Sequence, residues 1–562
     1  MEVSDLLDRR WRIPLGIFLL ALAVRLLYLA EFTGNPFFIG VHPAQDGESV
    51  RRAAEAFARG DWALYDVYYK YPFYSYIVSL LFMLPGPDYT TVWLFQFVLG
   101  AAASAMIYSL GRHAFGRRAG LAAAIIYAVY PPNLFYEGVF LRASTTEFLV
   151  VLSCLMLMRV AARPSWGRIV VAGLTASAVV QCRENLVLMG PFALWWVWAY
   201  PLKGRPVRDR LARTGMFVGV AVLAAAPLLV RGILLAERFV FFHPQGPATL
   251  LMGNLPTYEG HSWSHHGPTF QGVLAAHGND IWHDYGLVAR VLLRAWLDDP
   301  LAVLRLYGRK LYYLLAAPEV PSNYSFALFQ RFSRILRLPL GDFGLLVALA
   351  GPGLALARRR WPRGRATATL VAAGLAGTFL STILFYNVAR LRLPMVPLVI
   401  LPAGASVVFI VDALRQRRVS SMGFAILWVV AAALVLRAPD VQRIRCNDAD
   451  LLAAMHERRG QSEAAIAMCR EAVAIDAAYV PSHRGLAQLL IVKKRYAEAL
   501  PHLRRAIKLS PGEGRDHYLM ALAEFRLGNT ESARIHLAAA TRLGAAVHPE
   551  FRTELEGAAP AP

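Results

Sequence analysis

The sequence contains few charged residues and little cysteine. Charged residues make up 17% of the 562 positions, and acidic residues number 38 against 59 basic ones. The four cysteines form no CxxC pair, which argues against a zinc ribbon and against a redox motif. Cys446 and Cys469 could pair in an exported protein, but two free thiols are the simpler interpretation.

Apolar residues dominate the chain. They make up 56% of it and form many runs long enough to cross a bilayer, so we predict an integral membrane protein. The net charge of +21 could suggest nucleic acid. Arginine and lysine, however, concentrate in short loops between the apolar runs, where positive charge sets the orientation of a membrane protein. No nucleic-acid partner is therefore expected.

Eleven membrane spans are predicted from the apolar runs. They cover about residues 13–30, 92–110, 121–136, 146–158, 169–180, 186–200, 216–235, 343–357, 369–386, 395–411 and 424–436. With a cytoplasmic N-terminus, every inner loop is basic. This topology requires that 71–84 does not cross, and its aromatic residues and short length suit an interfacial helix. Two outer loops follow, at about 31–89 and 236–342.

The chain after residue 436 shows an internal repeat of 34 residues. Small residues recur at one helical phase in each unit, as in Ala453, Ala487 and Ala521. The pattern resembles the tetratricopeptide repeat, in which small positions let paired helices approach closely. We therefore predict a membrane domain at 1–440, three repeats at 446–547 that form an α-solenoid, and a tail at 548–562. The topology places the repeats in the periplasm.

Acidic residues open a predicted helix in the first outer loop, at Asp46-Gly47-Glu48. The simplest interpretation is a helix cap. Basic residues, however, recur at the outer ends of separate spans, against the positive-inside trend: Arg142, Arg183, Arg390 and Arg392. Arginines that converge on one face suit a phosphate or pyrophosphate, with Asp46 as general base toward an acceptor hydroxyl. The alternative is that each arginine snorkels or pairs with Glu137 or Glu184.

Several motifs together resemble a known family. They are Asp46 followed by Gly60-Asp61, Tyr71-Pro72-Phe73-Tyr74, Phe115-Gly116-Arg117-Arg118, Tyr136-Glu137-Gly138, Arg183-Glu184-Asn185 and Arg390-Leu391-Arg392-Leu393-Pro394. The chain resembles GT-C glycosyltransferases of the kind of protein O-mannosyltransferases and aminoarabinose transferases (glycosyltransferase family 39-like), in a bacterial form with C-terminal tetratricopeptide repeats. The resemblance implies an all-α, polytopic GT-C bundle. It also implies an inverting transfer from an isoprenoid-phosphate sugar, with the catalytic acid at Asp46 and the phosphate at Arg390 or Arg392.

The expected site residues fall into three groups. The catalytic candidates are Asp46 and Glu48; the candidates for the donor phosphate are Arg390, Arg392, Arg142, Arg183 and Lys310; those for the acceptor or sugar pocket are Glu137, Glu184, Asn254, Tyr258, His261 and Glu319. The histidines of the second outer loop match no zinc pattern, so no metal ligand is assigned and no cofactor is expected, a divalent metal being left open.

The leading functional hypothesis is a glycosyltransferase of the bacterial inner membrane. It would move a sugar from a polyprenyl-phosphate donor to a hydroxyl or phosphate of a protein, glycan or lipid at the periplasmic face, and the repeats would bind the acceptor or a protein partner. A transporter or flippase of lipid-linked glycans would instead place charges near the midplane and repeat its hydropathy between halves. A repeat scaffold for envelope assembly would need only one span.

Overall fold

The computed structural model describes most of the chain. The described residues are 9–33, 46–61, 72–83, 89–236, 246–258, 268–317, 319–320, 325–339, 342–360, 364–385, 387–416, 428–436 and 442–558. Every regular element within these ranges is a helix, which confirms the predicted all-α fold. The chain divides into two compact units, with the boundary between Ala438 and Pro439.

The larger unit is a bundle of helices that differ widely in length. They are α1 (Arg9–Phe32), α2 (Asp46–Ala58), α3 (Pro72–Phe82), α4 (Tyr89–Phe115), α5 (Arg117–Ala128), α6 (Pro131–Glu137), α7 (Ala143–Ala162), α8 (Trp166–Cys182), α9 (Gly190–Ala199), α10 (Val207–Ala236), α11 (Gly246–Met252), α12 (Pro268–His277), α13 (Tyr285–Asp298), α14 (Pro300–Leu315), α15 (Phe326–Phe329), α16 (Phe343–Arg360), α17 (Arg365–Ile383), α18 (Ala389–Arg392) and α19 (Val396–Arg415). Residues 428–435 are also helical.

Six of the described helices are long and apolar enough to cross a membrane. They are α1, α4, α7, α10, α17 and the stretch Ala389–Arg415, and α5 with α6 would add a seventh span bent by 51°. These helices confirm a multi-pass membrane protein. α8 and α16 are shorter apolar helices. The run 186–200 is divided between a 3₁₀ helix, Glu184–Met189, and α9. The count of eleven spans stays a prediction.

Two short helices form the described part of the first predicted outer loop. α2 begins at Asp46, where the sequence predicts a helix start. α3 has 11 residues and is therefore about 16 Å long, roughly half the thickness of the hydrocarbon core. This length agrees with the prediction that 71–84 does not cross. Val50 and Ala54 of α2 pack with Tyr74 and Val78 of α3 in one buried cluster.

A buried ion pair joins α1 to α6 inside the bundle. The Arg25 guanidinium donates to both carboxylate oxygens of Glu137, at 2.6 and 2.7 Å, and neither side chain is more than 2% exposed. Arg25 also donates to the carbonyl oxygens of Ala21 and Ala128. A Cβ atom on Gly100 of α4 would fall on the Glu137 carboxylate, so glycine makes room for the pair.

The smaller unit consists of helix pairs and one last helix. The pairs are α20 (Gln442–Arg458) with α21 (Ser462–Ile475), α22 (Val480–Val492) with α23 (Tyr496–Leu509), and α24 (Gly514–Arg526) with α25 (Thr530–Arg542). The turn inside each pair contains a residue of positive φ, Gly460, Lys494 and Gly528, so the turn recurs every 34 residues. The assignment to tetratricopeptide repeats stays a prediction.

The expected tail at 548–562 contains a helix, α26 (Pro549–Gly557). Pro549 stands in its first turn, where a missing N–H costs nothing. Phe551 and Leu555 are four residues apart, so they share one helix face, and both are buried in a cluster with Leu537 and Tyr518. α26 therefore covers the apolar end of the third helix pair.

We expect that single substitutions of the Arg25–Glu137 pair destabilise the bundle and that the double substitution restores much of the loss. Arg25→Met or Glu137→Met should each cost roughly 3–5 kcal/mol, because the remaining charge stays buried without its partner. Arg25→Met/Glu137→Met removes both charges. Thermal unfolding of the detergent-solubilised protein measures the effect. Single and double variants of equal stability would contradict the pairing.

Candidate active site

The segment 387–392, between α17 and α19, gathers contacts from distant parts of the larger unit. The Asn387 backbone N–H donates to the Tyr258 hydroxyl, and its side chain donates to the Lys310 carbonyl oxygen. The Ala389 N–H donates to the Val320 carbonyl oxygen. Three parts of the second predicted outer loop therefore meet at this segment.

Asp46 and Arg390 form an ion pair at this segment. Arg390 Nη1 donates to Asp46 Oδ2 at 2.5 Å, across a separation of 344 residues. The side chains are 15% and 12% exposed, so a ligand can reach both. The sequence predicts that Asp46 lies near the outer arginines, and its contact with Arg390 agrees with that prediction.

Glu48 is bound by its own helix instead. Arg51 donates to both of its carboxylate oxygens, and Arg52 donates to one of them. The hydrogen bonds from Arg51, together with those from Arg52, hold the pKa of Glu48 below its ordinary value, although burial acts in the opposite direction. Of the two acids that open α2, only Asp46 is shown paired with an arginine of the 387–392 segment.

Arg183 contacts the backbone of Arg390, and Arg142 contacts the residues on either side of Arg183. Arg183 Nη1 donates to the Arg390 carbonyl oxygen at 3.0 Å, so it supports the backbone that carries the Arg390 side chain. Arg142 donates to the Cys182 carbonyl oxygen and to Glu184 Oε2, at 2.7 and 3.1 Å. The alternative from the sequence, in which an outer arginine pairs with Glu184, therefore describes Arg142.

Arg392 is enclosed although it stands only two residues after Arg390. It binds Glu319 Oε1 at 2.7 Å and the Ala316 carbonyl oxygen at 2.7 Å, and its guanidinium lies over the Phe343 ring. Both charged side chains are at most 6% exposed. Of the two arginines offered for a phosphate, Arg390 is the more accessible.

Lys310 is the centre of a buried polar cluster on α14. Its Nζ donates to the Gly253 carbonyl oxygen and to Asn254 Oδ1, and the Tyr307 hydroxyl donates to the same Oδ1. Burial lowers the pKa of Lys310 to about 7. The cluster positions Asn387 through the Lys310 carbonyl oxygen, so Lys310 and Asn254 connect the second outer loop to the 387–392 segment.

An apolar cavity of about 300 Å³ lies between α7, α8, α9, α10 and α17. Leu186 and Val187 line it, and they belong to the same 3₁₀ helix as Glu184. Cys154, Val179, Phe217 and Gly374 also face it. A charged region and an apolar cavity are thus separated by about one helical turn, an arrangement that suits an amphipathic ligand.

The remaining predicted residues lie elsewhere or are not described. Glu137 is closed in its pair with Arg25, and that pair accounts for its burial. His261 falls outside the described residues. Among the residues that the structure does describe, no three His, Cys, Asp or Glu side chains are grouped to hold a metal ion.

Two polar residues of this region were missed from the sequence, Asn387 and Tyr307. Asn387 is 3% exposed and lies at the end of an apolar run, immediately before the Arg390 motif, and this position was a usable signal. Tyr307 stands three residues before Lys310 on α14, where the two side chains share a face. Its role follows from its hydrogen bond to Asn254 and from the Lys310 Nζ, which lies over its ring.

Residues 70–230 match the family model of the dolichyl-phosphate-mannose-protein mannosyltransferases. This segment extends from the start of α3 through most of α10. The match confirms the resemblance to that group of glycosyltransferases over this part of the chain. No curated protein sequence matches the chain significantly.

Solved structures with similarity to the chain are distant from it. The Archaeoglobus fulgidus oligosaccharyltransferase in the apo form is 14% identical, with a TM-score of 0.44, over 80% of this chain and 58% of that chain. The same protein in complex with an inhibitory peptide and a dolichol-phosphate is 13% identical, with a TM-score of 0.43, over 79% of this chain and 58% of that chain. ArnT from Cupriavidus metallidurans, bound to undecaprenyl phosphate, is 13% identical, with a TM-score of 0.39, over 99% of this chain and 91% of that chain. The chain thus spans little more than half of the archaeal protein.

We expect the stability of the larger unit to rise with pH from about pH 7 because of Lys310. In the fold its pKa is about 7, whereas the unfolded chain keeps the proton up to the ordinary value of 10.5. Unfolding therefore takes up a proton in this window, and the slope is at most about 1.4 kcal/mol per pH unit.

The comparison is between the wild type and Lys310→Met in thermal unfolding at successive pH values. The stability of the wild type should rise relative to that of the variant from about pH 7 to about pH 10. In more acidic buffers the difference in stability should not change with pH. A difference that stays constant across the whole range would show that Lys310 keeps its charge in the fold.

Proposed function

We propose that the chain is a membrane glycosyltransferase that transfers a sugar from a polyprenyl-phosphate donor to a hydroxyl or phosphate acceptor. The contact between Asp46 and Arg390 carries this proposal. It unites, at an accessible position, a carboxylate suited to general-base catalysis and a guanidinium suited to a phosphate. The family match over residues 70–230 supports the same class of reaction.

The ion pair also suggests how donor binding prepares the site. A carboxylate that accepts from an arginine is a weak base, because the guanidinium stabilises its charge. The donor phosphate is a diester with one negative charge, and its two unesterified oxygens can compete with Asp46 for Arg390. When Arg390 turns to the phosphate, Asp46 is released to take the proton of the acceptor hydroxyl. Arg390 then stabilises the charge that develops on the departing phosphate.

The carrier chain would occupy the apolar cavity. The cavity begins two residues after Glu184, beside Arg183 and Arg142, so a phosphate near Arg390 and an isoprenoid chain in the cavity would fit one ligand. Most of the lining comes from residues of α7, α8 and α10 that lie inside the segment that matches the mannosyltransferase family. Burial of the chain's methylene groups would supply much of the affinity.

The location and partners follow from the predicted topology. Basic inner loops support a bacterial inner membrane with the site at the periplasmic face. The acceptor would then be an exported protein, a glycan or a lipid. The helix pairs of the smaller unit would bind the acceptor or a protein partner in the periplasm, because stacked repeats present an extended surface.

We expect Asp46→Asn to lower sugar transfer by roughly 10²–10⁴-fold, the range for loss of a general base, while leaving binding of the carrier nearly intact. Membranes that contain the protein are supplied with a panel of radiolabelled polyprenyl-phosphate sugars. Glu55→Gln, on the same helix, is the matched control and should retain transfer. Equal transfer by the wild type and Asp46→Asn would sink the assignment.

We expect Arg390→Gln to weaken binding of polyprenyl phosphate by roughly 10–100-fold, the loss of a charge-assisted hydrogen bond. Titration of the purified protein with the sugar-free carrier measures this without knowledge of the sugar. Arg390→Lys should recover only part of the affinity, because lysine cannot bind a phosphate bidentately. Arg52→Gln on α2 is the control, and an effect as large as that of Arg390→Gln would contradict a specific role.

A further inference from the structure

A stripe of apolar side chains is exposed where α13 meets α14. We call residues 293–304 the elbow. Its exposed apolar side chains are Leu293 (59%), Trp296 (41%), Leu297 (73%), Leu301 (54%) and Leu304 (57%). The leucines follow one another at spacings of three or four residues, so within each helix they share one face.

The elbow belongs to two well-anchored helices. The opposite face of α13 buries Val288, and that of α14 buries Val303, Leu306 and Leu314 beside the Lys310 cluster. Asp299 Oδ1 accepts from the Ala302 N–H and so caps α14 at the turn. The leucines are therefore held outward by a fixed fold, and an exposed apolar patch on such a fold marks an interaction surface.

Arginines flank the leucines on both helices, at positions 290, 294 and 305. Among the residues that the structure describes, none forms an ion pair with these three side chains, whereas arginines of the smaller unit such as Arg484 and Arg526 are paired. The acids of the elbow are Asp298 and Asp299, and Asp299 is used as the cap. Exposed leucines and a tryptophan between arginines are typical of a helix at the surface of a bilayer.

The position of α14 favours lipid as the occupant. α14 packs against α16 and α17, and α17 is one of the helices apolar and long enough to span a membrane. The elbow thus includes one end of a helix that packs against a helix long and apolar enough to span the membrane. Leu297 is as exposed as Leu223, which is 73% exposed on the long apolar helix α10.

We propose that the elbow inserts its leucines into the interface of the bilayer and that Arg290, Arg294 and Arg305 bind anionic lipid headgroups. Arginines attract the negative surface of such a bilayer, and the leucines bury apolar area at the boundary between headgroups and acyl chains. The second outer loop would then be fixed at a defined depth, independently of the reaction proposed above.

The depth of Leu297 tests the insertion. The four native cysteines are buried, so a nitroxide on Leu297→Cys labels one site of the full chain in nanodiscs. Collision with oxygen relative to a soluble nickel chelate reports depth. Leu223→Cys on α10 is the control within the bilayer, and Ile535→Cys in the smaller unit, at 63% exposure, is the control in water.

We expect the Leu297 label to show an oxygen-to-nickel ratio severalfold above that of Ile535 and below that of Leu223. A ratio equal to that of Ile535 would overturn the proposal. Shielding from both reagents, with spin–spin broadening between labels, would instead show a second copy of this chain on the elbow and would overturn it too.

The headgroup claim is tested by lipid composition. With the native arginines, the Leu297 label should lie deeper in nanodiscs that contain phosphatidylglycerol than in pure phosphatidylcholine. Arg290→Gln/Arg294→Gln/Arg305→Gln in the labelled protein should abolish this difference, whereas Arg542→Gln in the smaller unit should preserve it. A difference that survives the triple substitution would refute the role of the arginines.

Discussion

Charge inside an apolar bundle needs a partner, and this requirement organises the larger unit. Arg25 binds Glu137, Arg392 binds Glu319, and Lys310 binds backbone and amide oxygens. Each of these groups is enclosed, so its partner stabilises the fold and is not exposed to a ligand. Transfer of an unpaired charge from water to such an interior costs several kcal/mol, which makes each partner obligatory.

Asp46 and Arg390 satisfy the same requirement at a more accessible position. Their side chains keep some exposure, so in the proposed function a phosphate could replace one partner without leaving the other unpaired in apolar surroundings. Behind them, Arg183 holds the Arg390 carbonyl oxygen and Asn387 holds Tyr258 and Lys310. The contact is thus backed by hydrogen bonds from other parts of the chain, and in the proposed transferase such supports would position the reacting groups accurately.

Local sequence patterns predicted many of the helices, but they did not predict which side chains contact each other. Hydropathy identified the long helices, and the acids at Asp46 located the start of α2, because both signals act over one or two turns. The enclosure of Arg392 rather than Arg390 could not be predicted, since it depends on which side of α18 faces Glu319. Arg25 was missed for a similar reason: its partner lies 112 residues away, and the residue that accommodates them is a glycine on a third helix. α26 was missed because a single turn of apolar spacing is too weak a signal beside the repeat.

Gly100, Arg25 and Glu137 depend on one another, so we expect these three positions to vary together in related sequences. A larger residue there would occupy the place of the Glu137 carboxylate, and loss of that carboxylate would strand Arg25. A substitution at any one of these three positions alone would destabilise the bundle. We therefore expect substitutions at 25, 100 and 137 to occur together or in a restricted order. Diverged descendants of this chain are then expected to keep all three residues or to have exchanged them as a set.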